Sequence, residues 1–211
     1  MIEKITYNRS RVIGFSDAVF SVAMTLLVLE VTIPTYESFK NEGTTSVLLE
    51  RTPSFIGFAL SFFVTVFYWI DYMRISKYIS DFDNKALWIN ILILFSIVLL
   101  PFSTAFYVNG FSLTGPFVFY SINLAFIAFF EFLLAKYITK KEEGKTGLTQ
   151  LKGKWESFRS LNTSIIWLLS AIFAFILPWP SRFFFVFIFI LEPFIDRYYK
   201  KRIQKEEKEI F

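Results

Sequence analysis

The sequence predicts an all-α polytopic membrane protein with six transmembrane helices, and three observations carry that fold class. Hydrophobic residues make up 55% of the 211-residue chain, aromatic residues 21%, and the mean hydropathy is +0.50; a soluble domain holds roughly 45–50% apolar residues even with glycine counted. Six stretches approach the ~20 mostly apolar residues that a spanning helix needs: residues 12–33, 54–73, 86–107, 116–136, 161–178 and 181–196. Of the 22 Lys and Arg, all but Lys40, Arg51 and Arg182 fall in alternate connecting segments, which is the positive-inside pattern and places both termini in the cytoplasm. The expected organisation is one six-helix domain over residues 1–211, with residues 197–211 as a charged cytoplasmic tail.

The first span begins after Lys4, Arg9 and Arg11 and runs to Ile33. Its "SVA" at 21–23 resembles a signal-cleavage site, but apolar sequence continues well beyond it, so a retained helix is expected. Pro34 and Pro53 bracket the first loop, and "RISKYISDFDNK" separates the second span from the third. The third and fourth spans are divided by Gly110 to Pro116, and the fourth and fifth by "KYITKKEEGKTGLTQLKGKWESFR". Pro178 and Pro180 mark the fifth turn. The Phe-rich run "RFFFVFIFI" at 182–190 reads as lipid-facing surface with aromatic anchoring.

Composition also excludes chemistry. The chain has no Cys and no His, which removes disulfides, thiolate metal sites, the usual general base and the usual serine-triad, zincin and haem arrangements. An enzyme would need convergent catalytic groups at one depth, and the candidates here are scattered carboxylates. The net charge of +4 reports topology and does not argue for nucleic acid. Glu131 lies near Lys136, and Glu192 and Asp196 approach the basic tail from Arg197, so these intramembrane carboxylates read as structural.

Polar residues concentrate in the first span. At 100° per residue Ala18, Val22, Thr25, Leu26 and Leu29 share one face, with Phe15 and Ile33 extending it. Periodicity alone favours a packing face. Asp17 points roughly away from Val22 and needs either a donor on another span or an escape to the interface. Trp69, Tyr72 and Arg74 in "FYWIDYMR", and Trp88 and Asn90 in "ALWIN", lie at the matching depth, and Ser16 with Asp17 is expected to join such donors in an interhelical network.

These segments carry a resemblance. "RVIGFSD" at 11–17, continuing through "AVFSVAMTLLVLEV", resembles the R-x-x-x-F-S-D signature of the transmembrane protein 175 family of endolysosomal potassium channels and their prokaryotic relatives. "YWIDYMR" at 68–74 and "LWINILILFSIVLLPFSTAF" at 87–106 resemble two further segments of that family, in the same order. The resemblance implies a potassium-permeable channel without a T-V-G-Y-G filter, its pore lined by the first helix of each six-span unit. A single-unit chain then looks like a prokaryotic homotetramer in the cell membrane. It implies no cofactor and no metal beyond the permeating cation, K+ first, with Na+, Cs+ and H+ left open.

Carried over by position, the apolar constriction falls on Val22, Leu26 and Leu29 and the pore hydroxyl on Thr25. A ring of aliphatic side chains gates by dewetting, and hydroxyls replace part of an ion's hydration. Arg11, Phe15, Ser16, Asp17, Trp69, Trp88 and Asn90 would hold the pore helix in register. Glu30 either adds negative potential at the outer mouth or bonds a neighbouring helix. The chain departs from the family pattern at Tyr72 and Met73, where the family has two His, and at Val22, usually Ile or Leu, which widens the narrowest ring. A proton- or cation-coupled secondary transporter using Asp17 and Glu30 is the alternative; it predicts inverted repeats or broken paired helices, and no convincing internal repeat is present.

Overall fold

A computed structural model describes residues 5–31 and 33–210 of the chain; the side chains of Glu30, Glu42 and residues 207–210 lie outside that description. The fold is all-α apart from one two-residue strand pair. Strand β1 (Thr6–Tyr7) runs antiparallel to β2 (Phe82–Asp83), with Thr6 opposite Asp83 and Tyr7 opposite Phe82. The Tyr7 hydroxyl donates to Asn84 Oδ1 at 3.0 Å. Together these contacts fix the start of the first helix against the second connector.

Helix α1 (Arg9–Leu26) opens on Asn8, whose side-chain oxygen accepts from the Arg11 backbone N–H, satisfying one of the first-turn donors. It tightens into a 3-10 turn over Leu27–Glu30, and Val31 is already extended. The expected span to residue 33 is therefore too long. A β-branched residue at Ile33 immediately before Pro34 disfavours helix there, and Ile33, 89% exposed, lies beyond the helix and does not extend its stripe.

Helix α2 (Tyr36–Ser76) corrects the expected loop at 34–53. Thr35 caps it by accepting from the Ser38 N–H. Gly43, at φ 76° and ψ 157°, kinks it, a left-handed backbone that glycine adopts without a Cβ penalty. Pro53 sits inside the helix; it forfeits one backbone bond without ending the run, so proline marked a local defect and not a boundary.

Helices α3 (Asn84–Val98) and α4 (Leu100–Asn109) make one broken span, interrupted at Leu99 where Pro101 enters the first turn of α4. Helix α5 (Thr114–Glu142) packs along α6 (Gln150–Phe173), α3 and α4 and forms the centre of the bundle. A Cβ on Gly153 would collide with the Thr139 side chain, so glycine sets the close approach of α6 to α5. After α6 come the one-turn α7 (Pro178–Ser181) and α8 (Val186–Ile210).

Four helical stretches are long and apolar enough to cross a membrane among the described residues: Arg9–Leu29, Gly43–Ser76, Asn84–Asn109 and Thr114–Glu142. The expected fifth and sixth spans also fall on helices, but with shifted limits: α6 starts earlier and stops at Phe173, and the sixth does not become helical until Val186. Helix α6 buries its polar face, including Glu156, Arg159, Ser160, Thr163, Ser164 and Ser170, and exposes Ile165, Leu168, Leu169 and Ile172. That inverted amphipathicity suits a helix whose outer surroundings are apolar. Apolar surface elsewhere is exposed in the same way, while small hydroxyls such as Ser61, Thr65, Ser96, Ser103 and Ser121 are buried between helices.

The basic segments gather at one end. Lys141 Nζ bonds the Asp81 carbonyl at 2.7 Å and lies 3.4 Å from Asp83 Oδ2; Thr146 Oγ1 donates to the Tyr78 carbonyl, and Thr149 Oγ1 to Glu206. Asp83 also caps α3 through the Ala86 N–H and accepts from Tyr137 at 2.7 Å. Burial alone would raise its pKa, but the Ala86 N–H, the Tyr137 hydroxyl and the Lys141 ammonium outweigh it and hold the carboxyl below its ordinary value.

Candidate ion-conduction site

Ser16 is the hub that sets the orientation of α1. Fully buried, its Oγ donates to the Val12 carbonyl at 2.9 Å and accepts from Tyr72 OH at 2.9 Å and from Asn90 Nδ2 at 3.0 Å. One proton given and two lone pairs filled is the whole capacity of a hydroxyl. One turn-step away, Asp17 Oδ1 accepts from Trp69 Nε1 at 3.0 Å. The Phe20 and Tyr72 rings, with centroids 5.6 Å apart, pack above the hub. Ser16 and Asp17 thus fasten α1 to α2 through Trp69 and Tyr72, and to α3 through Asn90.

The rest of the expected network does not converge. Trp88 is 65% exposed; it lies two residues from Asn90, about 200° round an ideal helix, so the two cannot face the same neighbour. Phe15 is 64% exposed and the Arg11 side chain is exposed too. Arg11, Phe15 and Asn90 instead border an open groove of about 590 Å³ between α1 and α3. Tyr72, the position of departure from the resembled pattern, supplies the phenol that reaches Ser16 without imidazole.

The opposite face of α1 is exposed. Val22 is 55%, Leu26 41% and Leu29 71% exposed, and Ala18 and Thr25 are exposed with them. Leu29 stands in the 3-10 turn, where residues advance 120° instead of 100°, so three steps bring it back over Leu26. Thr25 Oγ1 donates to the Val22 carbonyl at 2.8 Å. Its proton is spent on its own helix and its lone pairs face outward, the polarity that a cation requires. Beside this face, Phe15, Ala18, Val22, Leu26 and Val98 line an apolar groove of about 260 Å³. The Glu30 side chain, expected near the outer mouth, lies outside the described residues.

A second polar centre was not anticipated. Arg159, 5% exposed, places its guanidinium 3.4 Å from Asp71, 3.1 Å from Glu192 and 3.2 Å from Asp196, and Trp155 Nε1 donates to Asp196 at 3.0 Å. Arg74 pairs with Asp71 at 3.2 Å. Glu192 and Asp196 therefore answer to α6 and not to the tail. Lys136 is likewise not the partner of Glu131, since its ammonium lies over the Phe132 ring. The centre ties α2, α6 and α8 together beside a cavity of about 220 Å³. Its partners are 33, 37 and 88 residues apart in sequence, and only the presence of unpaired charges in apolar segments pointed towards it. Among the described residues no group of three or more His, Cys, Asp or Glu is arranged to hold a metal.

A family model described as endosomal/lysosomal potassium channel TMEM175 matches residues 11–101, the segment that contains most of α1, the Ser16 hub and its partners on α2 and α3. Over this segment, less than half of its length, the chain is similar to the TMEM175 family. Similar relatives include a potassium channel of Chamaesiphon minutus, 36% identical over 95 residues, which are 45% of this chain and 47% of the relative. Another is a potassium channel of Streptomyces collinus, 30% identical over 95 residues and 45% of each chain. In these two the match spans about half the relative's length. A potassium channel of a Chryseobacterium species aligns over 204 residues, 96% of this chain and 99% of the relative, at 25% identity. The TMEM175 fold is recovered in a crystal structure of a lysosomal potassium-selective channel TMEM175 homolog from Chamaesiphon minutus, with TM-score 0.75 and 24% identity over 90% of this chain and 97% of that one. A crystal structure of a variant of the potassium channel MtTMEM175, bound to a nanobody fusion, gives TM-score 0.62 at 22% identity over 97% and 98% of the two chains.

Proposed function

We propose that the chain forms a potassium-permeable cation channel, a homotetramer in the cell membrane with both termini cytoplasmic, whose central pore is lined by α1. The observation that carries the reading is the division of α1 into two faces. One is saturated with hydrogen bonds to α2 and α3; the other leaves Ala18, Val22, Thr25, Leu26 and Leu29 exposed. One helix cannot enclose a pore, but four copies of that face can. Val22, Leu26 and Leu29 then form apolar rings through which an ion passes only when water wets them, and Thr25 offers oxygen lone pairs between those rings. The relatives named as potassium channels support this reading, and none of their names supports a coupled transporter.

The test uses the absence of native Cys. Val22→Cys should crosslink between subunits under oxidation, and Phe187→Cys, on the exposed face of α8, should not. Wild-type protein in liposomes with a potassium gradient should pass passive, depolarising flux. Crosslinking through Phe187→Cys but not Val22→Cys would sink the central-helix arrangement; saturable, solute-coupled uptake would sink the channel.

A further inference from the structure

At the end of the bundle away from the basic segments, Arg182 is 7% exposed, and no carboxylate forms an ion pair with it among the described residues. Aromatic rings enclose it. Its guanidinium carbon lies 4.5 Å from the ring centroid of Trp179, 4.6 Å from Phe111, 5.7 Å from Phe117 and 5.9 Å from Tyr107. Ring faces attract the charge, but they do not satisfy N–H donors as an oxygen or a halide does. Nε and Nη1 of Arg182 are both buried without a hydrogen-bond partner.

Those donors adjoin a cavity of about 80 Å³ bordered by Arg182, Tyr107, Phe117, Tyr120, Ser61 and Gly57. The hydroxyls at its wall are ordered by one another. Thr104 Oγ1 donates to Ser61 Oγ at 3.0 Å, and Ser61 Oγ lies 3.1 Å from Tyr120 OH. With one Ser61 lone pair filled by Thr104, Ser61 can give its own proton to the phenol oxygen, an arrangement that frees the Tyr120 proton for the cavity. The Tyr107 phenol borders the same space. The enclosure therefore combines a full positive charge, several unpaired donors and no acidic side chain.

We propose that this cavity is a halide site, occupied by chloride held by the Arg182 guanidinium and the Tyr120 phenol. Its size and its single guanidinium suit a monatomic anion better than a phosphate or a carboxylate, whose several oxygens would call for more donors. The bound chloride neutralises a guanidinium that is buried without a carboxylate partner among the described residues. It also ties the turn before α8 to α2, α4 and α5. The site lies away from the α1 face and stands or falls independently of the proposed conduction pathway.

The experiment measures thermal unfolding of the purified protein by Trp fluorescence at constant ionic strength, with chloride replaced stepwise by gluconate, which is too large to enter. Chloride and bromide should raise Tm saturably. Arg182→Gln should abolish that dependence, and Tyr120→Phe should raise the half-saturating chloride concentration by about five-fold, the loss of one hydrogen bond. If Arg182→Gln does not fold, Tyr120→Phe and bromide soaking of wild-type crystals still decide the matter, since bromide should give an anomalous peak beside Arg182. A Tm indifferent to chloride, a chloride dependence that survives Arg182→Gln, or crystals without that peak would each overturn the proposal in favour of a water-filled cavity closed by rings alone.

Discussion

Replacing Ser16 by Ala isolates the energetics of the hub, because it removes one oxygen and hardly changes shape. The loss leaves two buried donors, Tyr72 OH and Asn90 Nδ2, without the acceptor they share. Tyr72 is 0% and Asn90 1% exposed, so water does not replace it, and Asn90 Oδ1 is already buried without a partner. An orphaned buried donor costs about 1–3 kcal/mol, and hydrogen bonds between membrane helices measure about 0.6 kcal/mol on average with a maximum near 1.7. Two orphans sharing one site give about 1–3 kcal/mol for Ser16→Ala. Tyr72→Phe removes a donor together with its need and leaves Ser16 bonded to Asn90 and Val12, so about 0.5–1.5 kcal/mol is expected. The double variant should lose less than the sum, since both changes delete the same bond. Reversible unfolding in mixed micelles with added denaturing detergent measures all three. A cost for Tyr72→Phe equal to or above that for Ser16→Ala would refute the hub argument, as would strict additivity.

Asp17→Ala and Trp69→Phe should each destabilise by about 1.5–3 kcal/mol, the range for a hydrogen bond to a charged group, and size-exclusion profiles should show damage to assembly before any change of ion preference; normal oligomers with altered preference would place Asp17 in the ion path. Val22→Thr is nearly isosteric at a position 55% exposed in the protomer, so it should raise single-channel conductance and weaken discrimination among K+, Na+ and larger cations with little change in Tm; a lowered Tm with unchanged conductance would mean that Val22 packs and does not gate. The depressed Asp83 carboxyl contributes stability that is complete above its unfolded pKa of about 3.9 and is lost as pH falls through its lower folded value. The Tm difference between wild type and Asp83→Asn should accordingly be constant from about pH 7 to pH 5 and shrink below about pH 4, and a difference that grows on acidification would contradict it. Gly153→Val should separate α6 from α5 by collision with Thr139 and cost about 1–3 kcal/mol as overpacking, whereas an unchanged Tm would show that the helices tolerate the wider spacing.

Composition and hydropathy by themselves determined the class of environment, the helical content and the gathering of Lys and Arg at alternate connectors, because each is a property of single residues or of one helix's own period. The same local logic singled out Ser16 and Asp17 as groups that needed partners and Trp69, Tyr72 and Asn90 as donors at the right depth. Which donors answered was a tertiary decision: Trp88 and Asn90 sit two residues apart, and only the rotation of α3 about its axis selects Asn90 and turns Trp88 outward. Glu192 and Asp196 took Arg159, which they share with Asp71, in place of the nearer tail cations because helix packing brings distant residues within charge contact, a distance that sequence separation does not encode. Arg182 read as a surface charge on a Phe-rich run, yet the turn before α8 folds it beneath four rings. Local pattern states what each side chain needs; the angles and contacts of the packed helices decide which neighbour meets that need.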